Sequence, residues 1–224
     1  MDAIQIRGRF KDAPWFPKGP TTCIIGGAGG IGSWLAFLLA RTGYCPLVYD
    51  FDTVEVHNMG GQLFSKKHIG VDKVEAVREM ILEFSDMDIM VFNEKYDENS
   101  MTSPYMFSAF DNMEARKIMF KRWREDNTEN PFAIFIDGRL LMEQMQIFCV
   151  TPETAYEYER EHLFDDSEVM TENCTLKQTS HSASMIASNM VGFFTNHLTN
   201  VYAGSISRSV PFIYEYFIPL NLVS

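Results

Sequence analysis

No two cysteines in this sequence stand in C-x-x-C spacing. The four present, Cys23, Cys45, Cys149 and Cys174, are scattered, which argues against a structural zinc site or a redox dithiol. No apolar run reaches the roughly 18 residues of a membrane span, and the opening MDAIQIRGRFKD lacks an apolar signal core. A cytoplasmic protein with no membrane partner is expected. Positive charge is scarce: 19 Lys and Arg against 30 Asp and Glu give a net charge of −11. Nonspecific binding to nucleic acid needs clustered cations, so no nucleic-acid partner is expected. The histidines form no H-E-x-x-H, and neither G-x-S-x-G nor G-x-x-x-x-G-K-[ST] occurs. These absences exclude the hydrolase elbow and the P-loop.

What remains is an alternation of short apolar runs and helical patterns. Strands are expected at 22–26, 46–50, 88–93, 106–110, 132–137 and 145–150, and helices at 31–42, 72–84, 112–125 and 182–198. That order predicts a Rossmann-like, doubly wound α/β fold: a mostly parallel sheet with helices on both faces. A chain of 224 residues suits one such domain. Within it, 1–20 reads as an N-terminal arm and 151–181 as an irregular crossover excursion, with the acid-rich 151–172 as solvated loop. The apolar tail 199–224 reads as an edge strand or a subunit contact. Cys23 and Cys149 lie in strand-like runs and are expected to be buried small hydrophobes.

The first third carries the strongest chemical signal. Residues 23–52 read CIIGGAGGIGSWLAFLLARTGYCPLVYDFD: a strand, a glycine turn, an apolar helix and a second strand ending in acids. Gly27, Gly29 and Gly32 hold G-x-G-x-x-G spacing, and with Ala28 and Gly30 they form a turn whose backbone can approach a phosphate. The helix start then offers N–H groups to an anion. Asp50 lies eighteen residues past Gly32, where a ribose hydroxyl acceptor is expected. A mononucleotide or dinucleotide ligand follows.

Downstream, the chain departs from an ordinary dehydrogenase. After Asp50 and Asp52, a loop carrying Asn58, Gln62 and Phe64 leads to IGVDKVEA, which places Lys73 in the first turn of a helix. FSAFDNMEAR then sets Asp111 and Asn112 at a strand's carboxyl end, where open α/β sheets bind ligands.

This ordered set resembles the ThiF/MoeB-type adenylating enzymes, which activate the C-terminal carboxylate of ubiquitin-like and sulfur-carrier proteins. Their pattern, G-x-G-G-x-G, D-x-D-x-V-x-x-x-N-x-x-R-Q, G-x-x-K and D-N-x-x-x-R, is matched in order by Gly27 to Gly32, Asp50 to Gln62, Gly70 to Lys73 and Asp111 to Arg116. The resemblance implies ATP and Mg²⁺ as cofactors, a ubiquitin-like or sulfur-carrier partner, and a homodimer. It implies phosphate at the glycine turn, ribose at Asp50, Lys73 neutralising phosphate charge and Asp111 holding Mg²⁺. Asn58 and Gln62 then orient phosphate or the loop.

Two features qualify it. Gly61 stands where the family has a phosphate-contacting arginine, so Arg139, Lys66, Arg7 and Arg9 become candidates to replace it. A non-catalytic nucleotide-binding or scaffold subunit is accordingly the alternative reading, with an NAD-dependent oxidoreductase behind it. Cys174, ahead of a helix and near Lys177 and His181 in sequence, fits either a nucleophile or a partly buried structural thiol.

Overall fold

The computed structural model describes residues 8–141, 143–165 and 179–223. The strands form one sheet. β1 (Thr22–Gly26), β2 (Cys45–Tyr49), β3 (Val91–Phe92), β4 (Tyr105–Ser108), β5 (Ile134–Leu141), β6 (Gln144–Val150), β7 (Ile213–Phe217) and β8 (Leu222–Val223) lie in the order β3-β2-β1-β4-β5-β6-β7-β8. Pairing is parallel from β3 through β5 and antiparallel from β5 to β8. The strands β1 to β5 run parallel, but the order of addition switches from one side of β1 to the other between β3 and β4, the switch point at which open α/β sheets form a crevice outside the carboxyl ends of β1 and β4.

Alternation within the strands feeds two cores. Cys23, Ile25, Val48, Phe107, Ile134 and Ile136 face one side, where helices α1 (Gly30–Thr42), α2 (Lys73–Ser85) and α5 (Ser180–Ala203) pack. Ile24, Leu47, Met106 and Phe135 face the other, under α3 (Met113–Asn127) and α4 (Ala155–His162). Helices on both faces of a mostly parallel sheet are as expected from the sequence. Cys23 and Cys149 are buried, also as expected.

The excursion after β6 differs. Its first part is not a solvated loop, because α4 buries Ala155 and Tyr158. Tyr158 is fully enclosed among Phe120, Phe135 and Phe148. Apolar positions three apart on a short helix are enough to dock it, although acids fill the rest. Two smaller differences concern extent. The strand expected at 88–93 shrinks to Val91–Phe92, while the last helix runs to Ala203, five residues beyond expectation. The tail does supply an edge, with β7 paired to β6 and β8 outermost.

Candidate nucleotide site

The glycine turn joins β1 to α1, and two of its glycines are required by packing. Gly27 has φ +92°, a left-handed conformation. At Gly32 a Cβ atom would lie 1.8 Å from the Gly27 carbonyl oxygen, so the helix reaches its strand only without a side chain there. Gly29 is different, since among the described residues a Cβ there would meet nothing within 4 Å. The space above its backbone is open, and it is the N-cap of α1, whose first N–H groups have no intrahelical acceptor. That combination fits a phosphate.

Asp50, just past β2, braces this turn. Its Oδ2 accepts the Ala28 N–H at 2.7 Å, and its Oδ1 accepts the Asp52 N–H at 2.8 Å. Burial raises its pKa, an effect only partly offset by those two backbone donors. Each carboxylate oxygen keeps a second lone pair, so a ribose hydroxyl can still donate to it.

Two residues further on, Asp52 meets Lys73. The Lys73 ammonium donates to Asp52 Oδ2 at 2.7 Å, and the Lys73 N–H donates to the Asp52 carbonyl at 2.9 Å. Lys73 is 8% exposed. It opens α2 after the left-handed Gly70 and an isolated bridge between Thr53 and Asp72. A cleft of about 290 Å³ is lined by Phe51, Asp52, Thr53, Glu55, His57, Asn58 and Lys73. The sequence drew attention to Asp52, Asn58 and Lys73; it did not single out Phe51, a half-exposed aromatic on the cleft wall.

Asn58 shapes the loop. Its Oδ1 accepts the Glu55 N–H at 2.8 Å, folding Val56–Gly60 into a short 3-10 turn. The loop is tied down at two further points, by Ser33 Oγ accepting the Leu63 N–H at 3.0 Å and Ser180 Oγ donating to the Gly60 carbonyl at 2.8 Å. Neither serine stands in a motif, and sequence reasoning missed both. Gln62 follows with its side-chain oxygen buried and, among the described residues, without a hydrogen-bond partner.

Asp111 and Asn112 sit beyond β4, at the carboxyl edge, and both are exposed. Asn112 caps α3, its Oδ1 accepting the Ala115 N–H at 2.9 Å. Asp111 stands directly before this cap, and its carboxylate oxygen accepts from the Asn112 side-chain amide at 3.3 Å. Arg139, a candidate substitute for the arginine absent at Gly61, is committed elsewhere. Its guanidinium donates to Asp137 at 2.7 Å and to the His162 carbonyl at 2.8 Å. Lys66 and Arg9 are exposed; Arg7, Cys174 and Lys177 lie outside the described residues.

Among curated proteins the chain is 31% identical over 124 residues to ubiquitin-like modifier-activating enzyme 5 of Caenorhabditis elegans, covering 47% of this chain and 30% of that one. It is 31% identical over 143 residues to the Caenorhabditis briggsae protein of the same name, covering 56% and 33%. The chain thus matches about a third of the length of these relatives. Among solved structures, Escherichia coli MccB with MccA-N7isoAsn superposes with a TM-score of 0.70 at 14% identity, over 99% of this chain and 65% of that one. E. coli tRNA N6-threonylcarbamoyladenosine dehydratase, TcdA, in complex with ATP superposes at 0.69 with 16% identity, over 91% and 98%. These two likenesses concern the fold. The sequence pattern of the ThiF family matches residues 20–211, and the chain belongs to that family.

Proposed function

We propose that the protein binds ATP with Mg²⁺ in the crevice and adenylates a carboxylate, that of the C-terminus of a small ubiquitin-like or sulfur-carrier protein. One observation carries this reading: an almost buried lysine ammonium, held by Asp52, lines a cleft that begins at Phe51, directly after the Asp50 that braces the glycine turn, and among the described residues the central glycine of that turn is open to a ligand. An NAD-dependent oxidoreductase needs the turn but has no use for that lysine.

The roles follow from position. The α1 start and the Gly29 backbone hold phosphate, Asp50 takes the ribose and fixes the turn, and Asn58 and Gln62 shape the loop beside it. Lys73, preorganised by Asp52, is a charge partner that needs no reorganisation as negative charge builds on the phosphate oxygens. Asp111 would hold Mg²⁺, which supplies further charge neutralisation on the phosphates when bound. Cys174 as acceptor of the activated carrier remains part of this proposal, as do a homodimer and a cytoplasmic setting.

The name of the C. elegans and C. briggsae relatives supports a ubiquitin-like carrier. A second reading rests on Gly61: without an arginine there, the chain serves as a nucleotide-binding subunit that does not turn over. Carrier-dependent release of pyrophosphate separates the two. Release with a ubiquitin-fold carrier establishes the first; ATP binding without release under any carrier supports the second.

A further inference from the structure

One buried cluster next to the crevice is not used by the roles above. Asp137, near the middle of β5, is fully buried. It forms a close ion pair with Arg116, accepts from Arg139 Nε at 2.7 Å and accepts from the Tyr158 hydroxyl at 2.9 Å. Burial alone would raise its pKa; the two guanidiniums outweigh that and hold it below the usual carboxylate range. A buried pair of this kind is weak evidence for stability, since well-packed apolar side chains often serve as well. What it does supply is fixed geometry.

The geometry leads to Asp111. Arg116 Nη2 donates to the Phe110 carbonyl, the peptide directly before Asp111, while Nη1 and Nη2 each donate to the Gly138 carbonyl at 3.2 Å. Its Nη1 also reaches Ser108 Oγ at 3.4 Å. One planar fork thus bolts the turn after β4 to β5, and a forked guanidinium is suited to that as an ammonium is not. Arg139 works on the other side of Asp137, where it reaches the end of α4 at the His162 carbonyl and lies over the Phe148 ring.

We infer that Arg116, held by Asp137, is a positioning residue for Asp111: by fixing the Phe110 carbonyl it sets the turn that presents the Asp111 carboxylate at the carboxyl edge. The inference rests on the proposed role of Asp111 toward phosphate-bound Mg²⁺. In the sequence, Arg116 is only the last letter of a motif; the contacts give it a task.

Amide hydrogen exchange on the ligand-free chain tests the clamp without any ligand. In Arg116→Lys, which keeps a cation beside Asp137 but loses the fork, amides 109–113 should exchange about tenfold faster while β1 and β5 keep their protection. Arg139→Met should leave those amides within about twofold. Equal loosening by both variants, or by neither, overturns the inference. ATP titration with and without Mg²⁺ then tests its consequence. Arg116→Lys should remove about tenfold of the Mg²⁺-dependent gain in affinity, and remove nothing further when combined with Asp111→Asn. Independent, additive losses in the double variant overturn the inference even if ATP binds well. Failure of the wild-type chain to bind ATP refutes the reading of the site instead, and the exchange data alone then decide whether Arg116 holds the turn.

Discussion

Gly29 and Gly32 stand three residues apart in one turn, yet the same change should do opposite things at each. In Gly32→Ala the new methyl would sit 1.8 Å from the Gly27 carbonyl oxygen and 2.8 Å from its carbon. Both are backbone atoms, so no side chain can swing away. The end of β1 and the start of α1 must part, and Gly27 is braced besides by its N–H bond to the Tyr49 carbonyl at 2.8 Å. Overpacking of well-ordered interiors costs roughly 1–3 kcal/mol and sometimes more; with no flexible neighbour, about 3 kcal/mol is expected here. For a chain of this size that lowers the melting temperature by about 6–12 °C. In Gly29→Ala the methyl meets none of the described residues, so the melt should stay within about 2 °C. It enters the space assigned to phosphate, however, and losing one charge-assisted contact of about 1.5–3 kcal/mol weakens ATP binding by about 10- to 100-fold. Paired thermal melts and ATP titrations measure both. A Gly32→Ala protein that melts like wild type, or a Gly29→Ala protein that binds ATP with unchanged affinity, refutes the reasoning.

On the family resemblance, Gly61→Arg adds a cation at the position where relatives carry a phosphate-contacting arginine. The backbone at Gly61, φ −125° and ψ −27°, suits any residue, so ATP affinity should rise about tenfold, and an unchanged or weaker affinity in titration contradicts the account of this position. Trp123 is fully buried against Phe120 and Phe135, on the face of the sheet opposite α1. Trp123→Ala should lower stability by about 3–5 kcal/mol in denaturant melts, while the folded fraction keeps its ATP affinity. Burial lowers the pKa of His68, His162 and His197. The unfolded chain therefore binds protons that the folded chain does not, so stability is complete above about pH 6.5 and falls as the pH drops through the shifted values. Melts at about pH 7.5 and 5.5 should show this, and His197→Gln should flatten the slope.

Much of this was legible because it rests on short-range rules. The glycine turn announces itself by spacing, since Gly27 and Gly32 answer to a positive φ and a close approach that only glycine meets. The continuous apolar runs in CIIG and IFID mark strands buried on both faces. The position of Lys73 after a glycine and ahead of an apolar-periodic helix likewise follows from local chemistry. The rest depends on contacts made across the chain. Tyr158 turns a stretch of acids into a docked helix by entering a pocket built from Phe120, Phe135 and Phe148, residues far from it in sequence. Arg139 reads as an available cation until Asp137, two positions away on the same face, takes it. Ser33 and Ser180 tie the loop between them through single hydroxyls, and a lone serine gives no sequence signal. Asp50 was expected as a ribose acceptor; its second task, holding the Ala28 N–H, appears only when β2 ends beside the turn.

The proposed function stands or falls with ATP binding in this crevice and Lys73 as its charge partner. Calorimetric titration of the chain with ATP and Mg²⁺, beside NAD⁺ as a competitor and with Lys73→Ala as control, tests it most directly. Saturable ATP binding is expected, at least about tenfold weaker in Lys73→Ala, with no heat from NAD⁺. Binding of NAD⁺ in preference to ATP, or ATP binding indifferent to the loss of Lys73, would contradict it.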